Sequence, residues 1–340
     1  MKILVCGGAG FIGSNFIRHM FGVYLNVRIV NYDKLTYAGN LANLKSFEDR
    51  ANYEFIEGDI CDFEFLNKVV KERKIDYIVN FAAETHVDRS IYGDCINFVN
   101  TNVGGVLSIL NVCKENKMIK RFINVSTDEV YGSLHYNEKR KFREDTPIKP
   151  NMPYAAAKAG GDLMCASYFK THNVPVIVTH CSNNYGPYQY PEKLIPMTIF
   201  RANRNELIPI YGTGRNVRDW IYVEDHCRAL SFLLKEGVNG RVYNIGADNE
   251  RSNLDIVRSI LTIMNKPHSL IEFVKDRPGH DKRYAIDARR IMGLGWEPVF
   301  KKKNFIKGLQ MTVRWYLSNK KWVEDLEEKN KEAYKINNNL

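Results

Sequence analysis

The stretch Gly7-Gly8-Ala9-Gly10-Phe11-Ile12-Gly13 follows the β-branched run Ile3-Leu4-Val5 and opens a helical segment, and few folds accommodate that order. In a strand-turn-helix unit each glycine has its own reason. Gly7 makes the tight turn, Gly10 lets backbone approach a pyrophosphate, and Gly13 lets the helix pack on the sheet. The helix N-terminus then favours the pyrophosphate charge, with Phe11 and Ile12 lying against it. Asp33 stands 20 residues beyond Gly13, at the end of the second strand, where a carboxylate binds the adenosine ribose hydroxyls. A carboxylate there repels a 2′-phosphate, so NAD is expected over NADP, with Lys34 as the one opposing residue. Asp59 and Ile60, after the third strand, are placed to meet adenine, although an ordinary strand-end turn reads the same way. Ala82 and Ala83, after the fourth, are small enough to pass a ribose-pyrophosphate, or simply to pack closely.

The runs Ile3–Val5, Val27–Val30, Tyr53–Ile56, Tyr77–Phe81, Phe122–Val125 and Pro175–Val178 read as strands separated by helical patterns. That alternation predicts a Rossmann-type α/β fold, a doubly wound parallel sheet covered on both faces. Between 94 and 116, Ile96, Val99, Val103, Val106, Leu107 and Leu110 form one helical stripe, expected to face the sheet. A further helix is expected from Tyr154 to Lys170. After Tyr185 prolines and glycines punctuate a loop-rich stretch that predicts a smaller mixed α/β lobe. The strand Val242–Ile245 precedes a helix capped by Ser252 or Asn253. The organisation expected is residues 1–184 as the dinucleotide-binding domain, 185–318 as a second lobe interleaved with it, and 319–340 as a polar tail whose helix frays.

With 340 residues, 44% of them hydrophobic, the chain can bury a full core. No secretory signal and no run of ~20 apolar residues is evident, so a cytoplasmic protein without a membrane partner is expected. Seven scattered cysteines with no Cys-x-x-Cys spacing predict reduced thiols and no metal site. The net charge of +10 comes without a basic-aromatic pattern, so nucleic acid is not expected, and an anionic small molecule would use the same potential.

The reacting groups lie further along. Tyr154 and Lys158 fall one turn apart on one helix face. A phenol is a poor base near neutrality unless positive charge lowers its pKa, and Lys158 with an oxidised nicotinamide would supply that charge. Tyr154 can then take a proton from an alcohol while the carbon gives hydride to NAD. Asp128 and Glu129 follow Ser126-Thr127 at the carboxyl edge of the sheet, where open α/β folds bind ligands. If both face the pocket they cannot easily both ionise, and one becomes an acid, the other a base. Alone, each pair also reads as a surface-helix pair or a loop start.

The chain resembles the dTDP-glucose 4,6-dehydratases of the extended short-chain dehydrogenase/reductase superfamily, almost end to end, from Gly7 to about Trp315. The resemblance rests on the Gly-x-x-Gly-x-x-Gly turn, Asp33 to Asn40, Ala82 to Ser90, Ser126 to Gly132, Tyr154 and Lys158, Cys181 to Gln189, Pro191 to Pro196, Arg218 to Trp220 and Asp276 to Asp281. It implies that Tyr154, helped by Thr127 and Lys158, oxidises the glucose C4 hydroxyl with NAD. Glu129 then removes the C5 proton while Asp128 protonates the departing C6 hydroxyl, hydride returns to C6 and a proton is delivered to C5. The implied product is dTDP-4-dehydro-6-deoxy-D-glucose, a deoxysugar precursor used for example toward dTDP-rhamnose. The same likeness places Leu35, Thr36, Glu84, Thr85, His86, Thr101 and Asn184 near the cofactor. It places Thr127, Asn183, Lys193, Leu194, Pro209, Ile210, Tyr211, Arg218, Asn253, Asp276, Arg277, Pro278, Gly279 and His280 in the nucleotide-sugar site, with Arg218 and Arg277 as diphosphate clamps. It also implies a homodimer through helices near 94–116 and 154–170. Two departures stand out. His180 occupies a position where the family usually has arginine, and Ala155-Ala156-Ala157 replaces a more serine-rich turn. A nucleotide-sugar 4-epimerase shares the Tyr/Lys pair but has no need of Asp128 and Glu129, and a silent NAD-binding sensor would need neither pair. Thymidine and uridine differ by a methyl group, worth only ~1–3 kcal/mol, so the base stays open.

Overall fold

Residues 1–326 are described by a computed structural model. Twelve strands run in chain order as β1 (Lys2–Cys6), β2 (Arg28–Asp33), β3 (Tyr53–Glu57), β4 (Tyr77–Asn80), β5 (Arg121–Thr127), β6 (Val176–Cys181), β7 (Asn183–Tyr185), β8 (Ile208–Tyr211), β9 (Val217–Tyr222), β10 (Val242–Ile245), β11 (Glu250–Ser252) and β12 (Ile271–Val274). The helices are α1 (Phe11–Val23), α2 (Phe63–Arg73), α3 (Val87–Tyr92), α4 (Ile96–Val99), α5 (Val106–Glu115), α6 (Pro153–His172), α7 (Leu194–Asn203), α8 (Val223–Glu236), α9 (Asn253–Ile263), α10 (Arg289–Met292) and α11 (Phe305–Ser318).

Seven strands form one parallel sheet in the order β10-β6-β5-β4-β1-β2-β3. Its interior residues are nearly continuous Ile, Leu and Val because both faces are covered. On one side α1 and α8 bury Phe16, Ile17, Met20, Leu230 and Leu233, and on the other α2, α5 and α6 bury Val69, Val70, Ile109, Leu110 and Cys165. Strand order reverses between β1 and β4, which opens a crevice beyond their carboxyl ends. The strands reach further toward that crevice than their hydrophobic runs. The extra residues are polar, Asn31, Ser126, Thr127 and His180 among them, and buried.

The second lobe holds the sheet β11-β9-β7 and the parallel pair β12-β8. Its core joins Ile195 and Ile199 of α7, Ile256 and Ile260 of α9 and Leu309 and Val313 of α11. Ser252 caps α9 by accepting from the Asp255 amide at 3.1 Å, as its position predicts. The lobes are interleaved, since β10 and α8 lie between second-lobe elements in sequence yet complete the first sheet and its cover.

The stripe expected between 94 and 116 is only half right. Val106 and Leu110 are buried against the sheet, but Ile96 and Val99 are exposed by 52% and 47%. A π-helical turn at Asn100–Gly105 widens the coil and rotates the residues before it out of phase. By length and composition the run Ile96–Glu115 is also apolar enough to cross a membrane, which the sequence reading did not anticipate. Its sheet-facing side, Val106, Ile109, Leu110, Val112 and Cys113, is instead core. The tail differs too. Residues 320–326 are helical, with Val323 and Leu326 buried, while the rest of the expected fraying helix lies outside the described residues.

Candidate active site

A cleft of about 510 Å³ runs over the carboxyl edge of the sheet and under the second lobe. Gly7, Gly10, Phe11, Ile12 and Gly13 line one end; Thr127, Asp128, Glu129, Tyr154 and Lys158 line the middle; Asn183, Lys193, Leu194, Pro209, Ile210, Tyr211, Arg218, Asn253, Arg277 and His280 line the other end. Ala83, Thr85, His86 and Asn184 also face it.

The glycine loop has the shape of a pyrophosphate cradle. Gly7 has φ +73°, and a Cβ there would come within 2.5 Å of the Ala82 amide nitrogen, while one on Gly13 would lie 2.3 Å from the Gly7 carbonyl. A Cβ on Gly10 would meet only the Gly7 carbonyl, at 3.4 Å, so the loop is open where a ligand would lie. No side chain caps α1, and its first-turn amides stay available to an anion. Asp33 accepts the Leu35 amide on one oxygen and the Ala9 amide on the other, both at 2.9 Å. Each oxygen keeps a lone pair for a ribose hydroxyl. Lys34 pairs with Asp59 at 2.6 Å, which removes the sequence's one argument for a 2′-phosphate. The residues present fit NAD.

Several expected cofactor residues do not line the cleft. The Ile60 side chain is buried where a Cβ on Gly105 would touch it at 2.4 Å, and Asp59 is engaged by Lys34. Thr101 sits in the π-turn, and Glu84 is held by Asn102 through two reciprocal bonds of 3.0 Å. Asp33, Lys34, Leu35, Thr36 and Ala82 flank the lining rather than form it, as do Asp276, Pro278 and Gly279. Strand-end position alone does not separate a residue that faces a ligand from one that braces the loop behind it.

The reacting groups converge. Thr127 ends β5 and caps the 3-10 turn Asp128–Tyr131, accepting the Glu129 amide at 3.3 Å, and its hydroxyl also bonds the Tyr154 phenol. Burial holds the Asp128 carboxyl well above its ordinary range, the neighbouring Glu129 and Asp219 add to that, and Arg218 opposes it. Asp128 Oδ2 has no hydrogen-bond partner. Burial raises Glu129 as well, but Arg218, Lys193 and Arg277 counteract it. Tyr154 is driven well above an ordinary phenol by burial, then by Glu129, Cys181 and Asp128, with the Thr127 bond opposing. The expected lowering of the phenol draws on Lys158 together with an oxidised nicotinamide. Burial lowers the Lys158 ammonium itself, and its Nζ donates to the Val125 carbonyl at 2.8 Å.

At the far end Arg277 forms a two-point ion pair with Asp88, each contact 2.8 Å, and lies over the Tyr211 ring at 4.3 Å. Arg218 lies over Tyr284 at 4.2 Å and donates to the Asp281 carbonyl. Sequence reasoning did not assign Tyr284, Met197 or Asp88 to the site. It also passed over Tyr37, Tyr190 and Glu192, where Tyr37 donates to Glu192 at 3.3 Å and packs edge-on against Tyr190. Their Pro- and Gly-punctuated loops were the available signal for these three.

A family model described as GDP-mannose 4,6 dehydratase matches residues 4–309. The chain is 46% identical to a probable dTDP-glucose 4,6-dehydratase of Sinorhizobium fredii, over 97% of this chain and 96% of that protein. The solved dTDP-glucose 4,6-dehydratase of Bacillus anthracis, in complex with NAD, superposes with a TM-score of 0.89 at 48% identity, covering 96% of this chain and 99% of that one. The Streptomyces venezuelae enzyme of the same name, also with NAD bound, gives 0.90 at 42% identity, with 96% and 100% covered. Glycine cradle, paired carboxylates and full-length similarity agree, and the chain belongs to the dTDP-glucose 4,6-dehydratases, within the family that the GDP-mannose 4,6 dehydratase model describes.

Proposed function

We propose that this chain is an NAD-dependent hydro-lyase that converts dTDP-glucose to dTDP-4-dehydro-6-deoxy-D-glucose for deoxysugar biosynthesis. The observation that carries the reading is the placement of Asp128 and Glu129 side by side in the cleft beside Tyr154, with burial raising both carboxyls and nearby cations restraining Glu129. A 4-epimerase has no use for that pair.

Thr127 orients the Tyr154 phenol, and Tyr154 takes the C4 hydroxyl proton, with Lys158 one turn along the helix. The glycine loop and Asp33 would hold NAD, whose oxidised nicotinamide would supply hydride acceptance at C4 and hydride donation at C6. Glu129 removes the C5 proton, which the C4 ketone has made acidic, and a proton is delivered back to C5 when hydride arrives at C6. Burial and the neighbouring Glu129 and Asp219 favour the protonated form of Asp128, whereas Arg218, Lys193 and Arg277 oppose protonation of Glu129, and this suits Asp128 to give a proton to the leaving C6 oxygen. Arg218 and Arg277 hold the diphosphate, and Arg277 exchanges Asp88 for it. Residues 1–184 serve the cofactor and 185–318 the nucleotide sugar.

The working unit is a cytoplasmic homodimer. Ile96 and Val99 on α4 and Leu163 on α6, which packs beside it, are exposed apolar side chains that support a self-association face. Product analysis with dTDP-glucose and UDP-glucose side by side tests the function. A 4-keto-6-deoxy product from the thymidine sugar supports it, and a galactose-configured product or no turnover rejects it.

A further inference from the structure

His180 is the departure that the proposed reaction leaves unused. It lies on β6 directly opposite Ser126 of β5, almost wholly buried. Its Nδ1 is 2.7 Å from the Tyr131 hydroxyl and its Nε2 is 3.2 Å from Asp162 Oδ2. Ser126 donates to the same Asp162 oxygen at 2.7 Å, and Asn124 donates to the other at 3.1 Å. Ser126 comes just before Thr127-Asp128-Glu129, and Tyr131 closes the turn that carries them. One histidine-aspartate pair thus holds both ends of the catalytic segment.

Counting hydrogens fixes how. The Asn244 side-chain nitrogen donates to the Phe142 and Asp287 carbonyls, at 3.0 and 3.3 Å, so its oxygen faces Tyr131. The Tyr131 hydroxyl donates to that oxygen at 2.9 Å, and the hydrogen is then spent. The 2.7 Å contact requires that His180 Nδ1 carries a hydrogen and donates it to the Tyr131 oxygen. A neutral ring would then aim a bare Nε2 lone pair at the Asp162 carboxylate, which is repulsive. A proton between Nε2 and Asp162 Oδ2 removes the conflict. The ring edge also packs on Tyr131, with centroids 4.9 Å apart.

We propose that His180, bridging Asp162 and Tyr131 with this additional proton, is a positioning residue that sets Asp128 and Glu129 for the elimination step. The inference rests on the dehydratase reading above. His180 and Tyr131 hydrogen-bond neither the glycine loop nor the nucleotide end of the cleft, and only Asn124, on the far side of Asp162, connects through Asn80 to the Ala82 amide beside Gly7. Loosening the His180 bridge therefore displaces the acid and the base while leaving ligand binding in place, and elimination depends steeply on that placement.

The test compares NAD-loaded wild type with His180→Gln, His180→Phe and Tyr131→Phe in rapid-mixing experiments with dTDP-glucose. Reduced-cofactor absorbance reports C4 oxidation, and product formation reports elimination. The expected result is elimination slower by about tenfold or more, KM nearly unchanged, and reduced cofactor accumulating where wild type shows little. The His180→Phe/Tyr131→Phe double variant should be no slower than the slower single, because both break one bridge. Elimination at the wild-type rate in the folded variants overturns the proposal, as does loss of oxidation and elimination in parallel. Should the His180 variants not fold, Tyr131→Phe and the ¹⁵N spectrum of the intact protein decide. A hydrogen on Nδ1 supports the bridge and a bare Nδ1 overturns it. Wild type that forms no product from dTDP-glucose would refute the dehydratase reading instead, and the nitrogen spectrum does not depend on that reading.

Discussion

Asp128 and Glu129 are adjacent in the chain, yet their surroundings pull them apart. Asp128 is buried with one oxygen unbonded, and Glu129 and Asp219 raise its carboxyl further, whereas Glu129 has Arg218, Lys193 and Arg277 to hold its charge. Glu129→Gln should therefore stop the cycle after oxidation, cutting product formation by about 10²–10⁴-fold while reduced cofactor still forms. Tyr154→Phe should show no reduced cofactor at all, and absorbance in single-turnover mixing separates the two. Asp219 gives a stability prediction. Burial pushes its carboxyl up to about 6, and the bond from the Asn249 amide offsets this only in part. A raised carboxyl contributes fully below its unfolded value of 3.8 and loses that contribution as pH rises through about 6. Asp219→Asn keeps the acceptor for Asn249 and cannot ionise. It should match wild type near about pH 4 and exceed it by about 3 kcal/mol near about pH 7. Urea unfolding at both pH values checks this, and a constant difference between the two proteins would contradict it.

The helix α6 carries Tyr154 and Lys158, so where it docks decides where they point. Gly160 and Gly161 let it press onto the π-turn. A Cβ on Gly161 would stand 2.4 Å from the Asn102 carbonyl, and one on Gly160 would stand 2.9 Å from Val103. Asn102 in turn clasps Glu84 of the loop after β4, so α6, the π-turn and a cofactor-facing loop are one stack. Gly161→Ala should cost about 1–3 kcal/mol in stability and weaken NAD binding as the loop shifts. Denaturant titration and a cofactor titration would test each part. This stack also shows what the sequence could convey. The order of strands and helices was legible because apolar runs alternate cleanly, and the Tyr-x-x-x-Lys face follows from helical geometry alone. The π-turn was not, because one extra residue in a coil leaves no mark on hydropathy. Strand ends at Asn31, Ser126 and His180 were read short for a related reason. Those polar residues are buried by hydrogen bonds to partners distant in sequence, such as Ser126 to Asp162, and no local pattern announces them. Thr127, Tyr154 and Arg218 could be placed from motifs, whereas Tyr284 enters the cleft through long-range packing.

Two surfaces tie the protein together beyond its sheets. The exposed apolar face of α4 and α6 is the surface through which we propose self-association, so on that reading Leu163→Glu should shift the mass seen by light scattering from dimer to monomer while the fold persists. The second tie runs from the far end of the chain to the cofactor loop. Trp322 donates from Nε1 to Asn43 Oδ1 at 2.8 Å, Asn43 donates to the Ala9 carbonyl at 2.9 Å, and the Ala9 amide binds Asp33. The same indole packs against Trp315 and Tyr188, and Tyr188 lines the cleft with the Arg18 guanidinium over its ring at 4.4 Å. A residue that sequence reading assigned to a polar tail therefore braces both the glycine loop and the wall facing it. Two substitutions divide its contributions. Trp322→Phe keeps most of the packing and loses the N–H, leaving Asn43 free to turn from Ala9, whereas Trp322→Ala loses both. NAD dissociation constants should rise in both variants, by roughly tenfold for the alanine, a change of about 1.4 kcal/mol. The melting temperature should fall clearly only for the alanine, since aromatic burial contributes most of the local stability. Equal NAD affinity in all three proteins would mean that the tail packs on the lobe without steadying the loop.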